Sequence, residues 1–109
     1  MRPVAPADTN REKGTDVKLI HVPGRNAKHR VTLYALSTCG WCRKTKELLN
    51  SNQVQYEYVD VDQCQGDERA EVSSKVRELN PRGSFPTIRI DGEVVTGFDE
   101  DRIRELLEI

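Results

Sequence analysis

Val31-Thr-Leu-Tyr-Ala-Leu36, Ser37-Thr38-Cys39-Gly40-Trp41-Cys42 and Arg43-Lys-Thr-Lys-Glu-Leu-Leu-Asn50 follow one another without a break, and the rest of the chain can be read from this stretch. The first six residues are a β-rich apolar run, fit for a buried strand. The last eight suit a helix with Leu48 and Leu49 as its apolar pair, and Ser51-Asn52 breaks it. Cys39 and Cys42 therefore stand where a strand ends and a helix begins. The first turn of a helix offers free backbone N–H groups and the positive end of the macrodipole, both of which stabilise an anion. The thiolate is the attacking form of cysteine, and at such positions cysteine pKa values fall from about 8.5 into roughly the 3.5–7.5 range. Cys39, on the outer edge, is the expected nucleophile. Cys42, one turn into the helix, is expected behind it as the resolving thiol, and Arg43 and Lys44 add positive charge nearby.

Downstream, residues 55–62 (QYEYVDVD) alternate well enough for a second strand. Gly66-Asp67 opens a helix through Asn80, with Ala70, Val72, Val76 and Leu79 at helical spacing, and Pro81 stops it. Residues 87–91 and 93–96 form a hairpin about Asp91-Gly92. Gly97-Phe98-Asp99 then leads into a last helix in which Ile103, Leu106 and Leu107 face inward. The order is β-α-β-α-β-β-α. Its opening strand–helix–strand unit implies a parallel pair with a right-handed crossover, and the closing hairpin adds two antiparallel neighbours. The expected fold is α/β, a mixed four-stranded sheet with helices on both faces, spanning residues 31–109. Upstream, residues 1–16 are polar, carry two prolines and have no periodicity, and read as a disordered tail. Residues 17–30 are an extension, with a short strand over 17–22 closed by Pro23-Gly24-Arg25-Asn26.

Composition narrows the function. The chain has 109 residues, enough for one domain, with 36% hydrophobic and 32% charged residues and a net charge of −1. That balance leaves no electrostatic footprint for nucleic acid or an anionic membrane surface. No apolar run approaches a membrane span, and the N-terminus has neither a secretory h-region nor the acid-poor composition of a transit peptide. The expected location is the cytoplasm. Three cysteines do not make a disulfide framework. Nor do they suit structural zinc, which wants four ligands, because Cys64, His21 and His29 stand at unrelated spacings. The spacing of Cys39 and Cys42 fits thiol–disulfide exchange through a mixed disulfide. Trp41 is expected exposed or half-exposed between the thiols, where it can contact partners, and Cys64 reads as an incidental thiol.

Thr38-Cys39-Gly40-Trp41-Cys42 after the first strand, Ser84-Phe85-Pro86-Thr87 before the third and Thr96-Gly97-Phe98-Asp99 before the last helix together resemble the glutaredoxins, within the thioredoxin-fold superfamily. The resemblance covers residues 31–109. It implies a thioredoxin-like fold, a cis Phe85–Pro86 bond beside the thiols, and catalysis by Cys39 and Cys42. It also implies a substrate- or glutathione-binding surface from Thr38, Trp41, Phe85, Pro86, Gly97, Phe98 and Asp99. No tightly bound cofactor is implied, with glutathione as a co-substrate and disulfide-containing proteins as partners of a monomer. Two departures bear on the electron donor: Leu36 stands where many glutaredoxins have lysine, and Phe98 where many have a second glycine. Thr96-Gly97-Phe98 is instead similar to the redoxins that serve ribonucleotide reductase and take electrons from a thioredoxin-reductase-like donor. Gly40 after Cys39 also resembles glutaredoxins that carry a 2Fe–2S cluster at a dimer interface, held by Cys39 and glutathione, which is the alternative function.

Overall fold

The computed structural model describes residues 19–109, so the tail expected over residues 1–16 lies outside the described residues, as do residues 17 and 18 of the extension. The elements run β1 (Ile20–Val22), β2 (Val31–Ala35), α1 (Gly40–Ser51), β3 (Tyr56–Asp60), α2 (Gly66–Leu79), β4 (Thr87–Ile90), β5 (Glu93–Thr96) and α3 (Glu100–Leu107). One 3-10 turn, Val61–Gln63, follows β3. This is a thioredoxin-like α/β fold.

The alternation of β2 is what separates the two faces. Val31, Leu33 and Ala35 enter one core with Leu48 and Leu49 of α1 and Ile103 and Leu107 of α3. Tyr34 points the other way, into a smaller core with Val59, Val72 and Val76. The parallel pairing of β2 with β3 sets Leu33 beside Tyr58 and Tyr34 beside Val59. The antiparallel pairing of β2 with β4 sets Leu33 beside Ile88. Two helices therefore cover one face and α2 alone covers the other. A single helix needs only a narrow apolar stripe, and for that reason Val72 and Val76 are buried while Ala70, expected inward, is exposed.

The sheet has five strands, in the order β1-β3-β2-β4-β5, where the sequence pattern led to four. The addition is β1, which pairs antiparallel with β3 through Ile20↔Tyr58 and Val22↔Tyr56. Residues after β1 are tied to the α1–β3 connection by Asn26 N–H to the Gln53 carbonyl at 2.8 Å and Gln55 N–H to the Asn26 carbonyl at 2.9 Å. At Gly24 an added Cβ would lie 2.5 Å from the Gln53 carbonyl oxygen, so no other residue fits without a shift of backbone. The extension is an integral edge of the sheet. Its pairing is made by main chain, which leaves little apolar alternation to read.

Smaller differences concern element ends. Helix α1 begins at Gly40 rather than Arg43, with Cys39 as its N-cap. Strand β3 stops at Asp60, two residues before the expected end. The hairpin turns about Asp91 as expected. Asp91 adopts a positive φ of 56°, and its carboxylate accepts the Arg30 N–H at 3.0 Å.

Candidate functional site

Cys39 has extended backbone angles and closes the N-terminus of α1. Its Sγ accepts the Cys42 N–H at 3.2 Å, one of the orphan donors that every helix start must satisfy. A sulfur can occupy a capping position in this way, and negative charge on it would meet both that N–H and the helix dipole. Cys39 is partly exposed, whereas Cys42 is 1% exposed beneath it. Burial is the main cause that pushes the Cys42 thiol up to about 12, and its hydrogen bond to Cys39 raises it further. Cys42 is therefore protonated at neutral pH. Cys64 lies apart, buried in the core on the α2 side with its Sγ 3.7 Å from the Asp60 carbonyl oxygen. Burial raises its thiol too, and the charge of Glu68 acts in the same direction.

Three segments distant in sequence meet around Cys39. Trp41, 58% exposed in the first turn of α1, stacks on Phe98 with ring centroids 5.6 Å apart and planes inclined by 23°. Lys44 Nζ sits 5.9 Å from the Trp41 ring centroid. Phe98 is held in place by its neighbours. Gly97 has φ 78°, which favours glycine, and its N–H donates to the Pro86 carbonyl at 2.8 Å. The Phe85–Pro86 bond is cis. Cys39, Phe85 and Phe98 all pack against the same core. Asp99 caps α3, its carboxylate accepting the Arg102 N–H at 3.2 Å. Thr38 is exposed in the turn before Cys39. Contacts thus link Trp41 to Phe98, Gly97 to Pro86, and Cys39, Phe85 and Phe98 to one core. Thr38 and Asp99 adjoin them along the chain, while Cys64 lies in the other core.

Two polar arrangements beside the site were not read from the sequence. Asp62, in the 3-10 turn, accepts the Ser37 N–H at 2.9 Å and the Ser37 hydroxyl, tying the β2–α1 loop to the end of β3. The Ser37 hydroxyl, and then its N–H, hold the Asp62 carboxyl below the usual carboxylate range. Asn80, where α2 ends, bonds Ser84 and Thr87 on either side of Phe85–Pro86. The sequence signal for it is an asparagine just before Pro81, a position where asparagine equally serves as a simple helix end. Among the described residues no three His, Cys, Asp or Glu side chains gather as a metal site.

A sequence profile of the glutaredoxins matches residues 31–95. The chain belongs to the glutaredoxin family. This glutaredoxin is similar to a solved glutaredoxin from Methanosarcina mazei, at 44% identity over 84% of this chain and 89% of that one, with a TM-score of 0.76. A glutaredoxin-like 8.6 kDa protein of the rubredoxin operon in Clostridium pasteurianum is 35% identical, over 72% of this chain and 97% of that protein. The solved Escherichia coli NrdH-redoxin, described by its thioredoxin-like activity profile, is 25% identical over 71% of this chain and 93% of that one, with a TM-score of 0.60. The family is one of thiol–disulfide oxidoreductases, whose partners are in general disulfides or glutathione. None of the described helices in this glutaredoxin is long and apolar enough to cross a membrane.

Proposed function

We propose that this glutaredoxin reduces protein disulfides by a dithiol mechanism, with Cys39 attacking and Cys42 resolving. The observation that carries the reading is the Cys42 N–H held 3.2 Å from a partly exposed Cys39 sulfur while the Cys42 thiol stays buried. In the first step the Cys39 thiolate attacks one sulfur of the partner's disulfide. A Cys39–partner bond forms, and the partner's other sulfur leaves as a thiolate. In the second, Cys42 loses its proton and attacks Cys39. The partner leaves with both sulfurs reduced, and Cys39 and Cys42 are left as a disulfide that has supplied two electrons. The timing follows from what restrains Cys42. Its hydrogen bond to Cys39 and the charge on Cys39 both raise its pKa, and both vanish once Cys39 is in a mixed disulfide. Burial remains, opposed by Lys46 and the backbone at Leu36. Cys42 is thus held most strongly in the resting dithiol, and two of the causes that raise its pKa are relieved in the mixed disulfide while burial persists.

For the donor that restores the dithiol, the site favours a reductase protein of the thioredoxin-reductase kind over glutathione. Asp99 fills with its own carboxylate the helix terminus that would otherwise receive an incoming one, and Glu100 and Asp101 add charge of the same sign in the first turn. Phe98 places a ring where close approach of a carboxylate to backbone N–H groups would be easiest. The likeness to NrdH-redoxin supports the same choice and makes ribonucleotide reductase a partner to test. A chain with three cysteines and no disulfide framework suits a reducing compartment, the cytoplasm, working as a monomer. The cluster-carrier alternative rests on Gly40 after Cys39.

The deciding experiment is a pair of NADPH-coupled assays on a protein disulfide, one with glutathione and glutathione reductase, the other with thioredoxin reductase. Faster turnover in the second arm, lost in Cys39→Ser, is expected. Turnover in neither arm, or a brown protein on anaerobic purification, overturns the proposal.

A further inference from the structure

We propose that Asn80 is a positioning residue for thiol–disulfide exchange, an inference that rests on the function proposed above: its carboxamide holds the segment carrying Phe85 and Pro86 in the place where a partner's disulfide-bearing chain is received.

Asn80 is 3% exposed, and its main chain ends α2 by donating to the Val76 carbonyl at 2.7 Å. Ending a helix requires no more than that. Its side chain does something else. Nδ2 reaches Thr87 Oγ1 at 3.1 Å, Ser84 Oγ at 3.0 Å and the Ser84 carbonyl at 3.2 Å. Oδ1 accepts the Arg82 N–H at 3.2 Å, and the Asn80 carbonyl accepts the Gly83 N–H at 2.7 Å. One residue therefore gathers the whole connection from α2 to β4. Thr87, fully buried, completes the arrangement by donating its hydroxyl to the Ser84 carbonyl at 2.8 Å. Thr87 also pairs with Tyr34 in the sheet, so the far end of the segment is fixed to β2, the strand that leads to Cys39.

The segment between these anchors carries Phe85, which packs against the same core as Cys39. Phe85 packs against both cores, and the Pro86 carbonyl takes the Gly97 N–H that sets the Phe98 ring. Of the Asn80 side-chain bonds the one to Thr87 Oγ1 is buried at both ends, so a shift there leaves a polar group unpaired away from water, while Ser84 and Arg82 lie at the surface. Displacement of about 1 Å at a reacting centre can cost orders of magnitude in rate. None of these bonds reaches Cys39, whose own hydrogen bonds are made to α1 and to the Leu36 carbonyl. Reactivity of the sulfur and reception of the partner are thus set by different residues.

That separation supplies the test. In the full chain, Asn80→Ala, Thr87→Val and Thr87→Ser are compared with wild type in kcat/KM for reduction of insulin disulfides and in the rate of Cys39 alkylation by iodoacetamide at pH 7. Thr87→Val is nearly isosteric and keeps the test open should Asn80→Ala fail to fold. Expected for the folded variants lacking the carboxamide or the hydroxyl is a fall of about tenfold in kcat/KM, mainly through KM, with alkylation within about twofold of wild type. Thr87→Ser is expected to restore most of it. Unchanged kcat/KM in a folded variant overturns the inference, as does a parallel loss of alkylation or an absence of rescue by serine. A wild-type protein inactive on insulin overturns the proposed function and this inference with it, whereas an active wild type with indifferent variants overturns the inference alone.

Discussion

The indole of Trp41 lies against the ring of Phe98 at 5.6 Å, joining the turn that holds both thiols to the loop that precedes the last helix. Trp41 stays 58% exposed beside the thiols, and Phe98 stands at the position where the resemblance to glutaredoxins implies a second glycine. Phe98→Gly is expected to raise glutathione-supported turnover several-fold relative to reductase-supported turnover. Trp41→Ala is expected to cost about 0.5–1.5 kcal/mol of stability. The ratio of the two coupled-assay rates checks the first. A low-micromolar glutathione dissociation constant for the wild type would contradict it.

Burial and Cys39 together keep Cys42 protonated to about pH 12, and burial with Glu68 raises Cys64. Alkylation at pH 6 to 7 should therefore label Cys39 first, as mass mapping of the labelled peptides will show. Cys42→Ser should accumulate a mixed disulfide on Cys39, and Cys64→Ser should keep most of its turnover. The sign of the pH effect follows from the raised folded pKa of Cys42. The unfolded chain releases that proton near pH 8.5, so the contribution is full below that pH and is lost as pH rises toward 12. The alkaline fall in Tm should be shallower in Cys42→Ser.

At the acid end two carboxylates have the opposite sign. Asp62 is held low first by the Ser37 hydroxyl, and Asp91 first by the Arg30 N–H and then by the His29 ring. Their folded values lie below the unfolded one of about 3.9, so what they contribute is present above that pH and lost as pH falls through the lowered values. Tm measured from pH 6 to pH 2 should fall along this limb, and the fall should flatten in the Asp62→Asn, Asp91→Asn double variant. An identical acid limb in the double variant would remove the argument.

Gly24 approaches the Gln53 carbonyl more closely than any Cβ allows. Gly24→Ala should cost about 1–3 kcal/mol in denaturant unfolding, because backbone rather than a flexible side chain must give way. Gly40, by contrast, faces open space. Gly40→Ala should leave stability unchanged or slightly higher. Faster amide exchange confined to β1 and its partner β3 would locate the damage in the first variant.

What could be read without coordinates was local. The apolar run of β2, the breaks at Ser51 and Pro81, the hairpin at Asp91-Gly92 and the thiol pair at a strand–helix junction are each decided within a few residues. Period, turn chemistry and helix-end electrostatics act at that range, and from them came the parallel pair, the antiparallel hairpin and the place of Cys39 and Cys42. Tertiary structure decided what depends on partners far along the chain. Strand β1 was absorbed into the sheet by main-chain bonds that carry no side-chain pattern. Ser37 met Asp62, and Trp41 met Phe98, because sheet pairing brings loops at the same end of neighbouring strands together. Asn80 looked like a helix end, and only the folded β4 supplied the hydroxyl and carbonyl that its carboxamide binds. A sequence states what each residue tends to do beside its neighbours; which distant group satisfies a buried polar atom is settled when the core closes and excludes water.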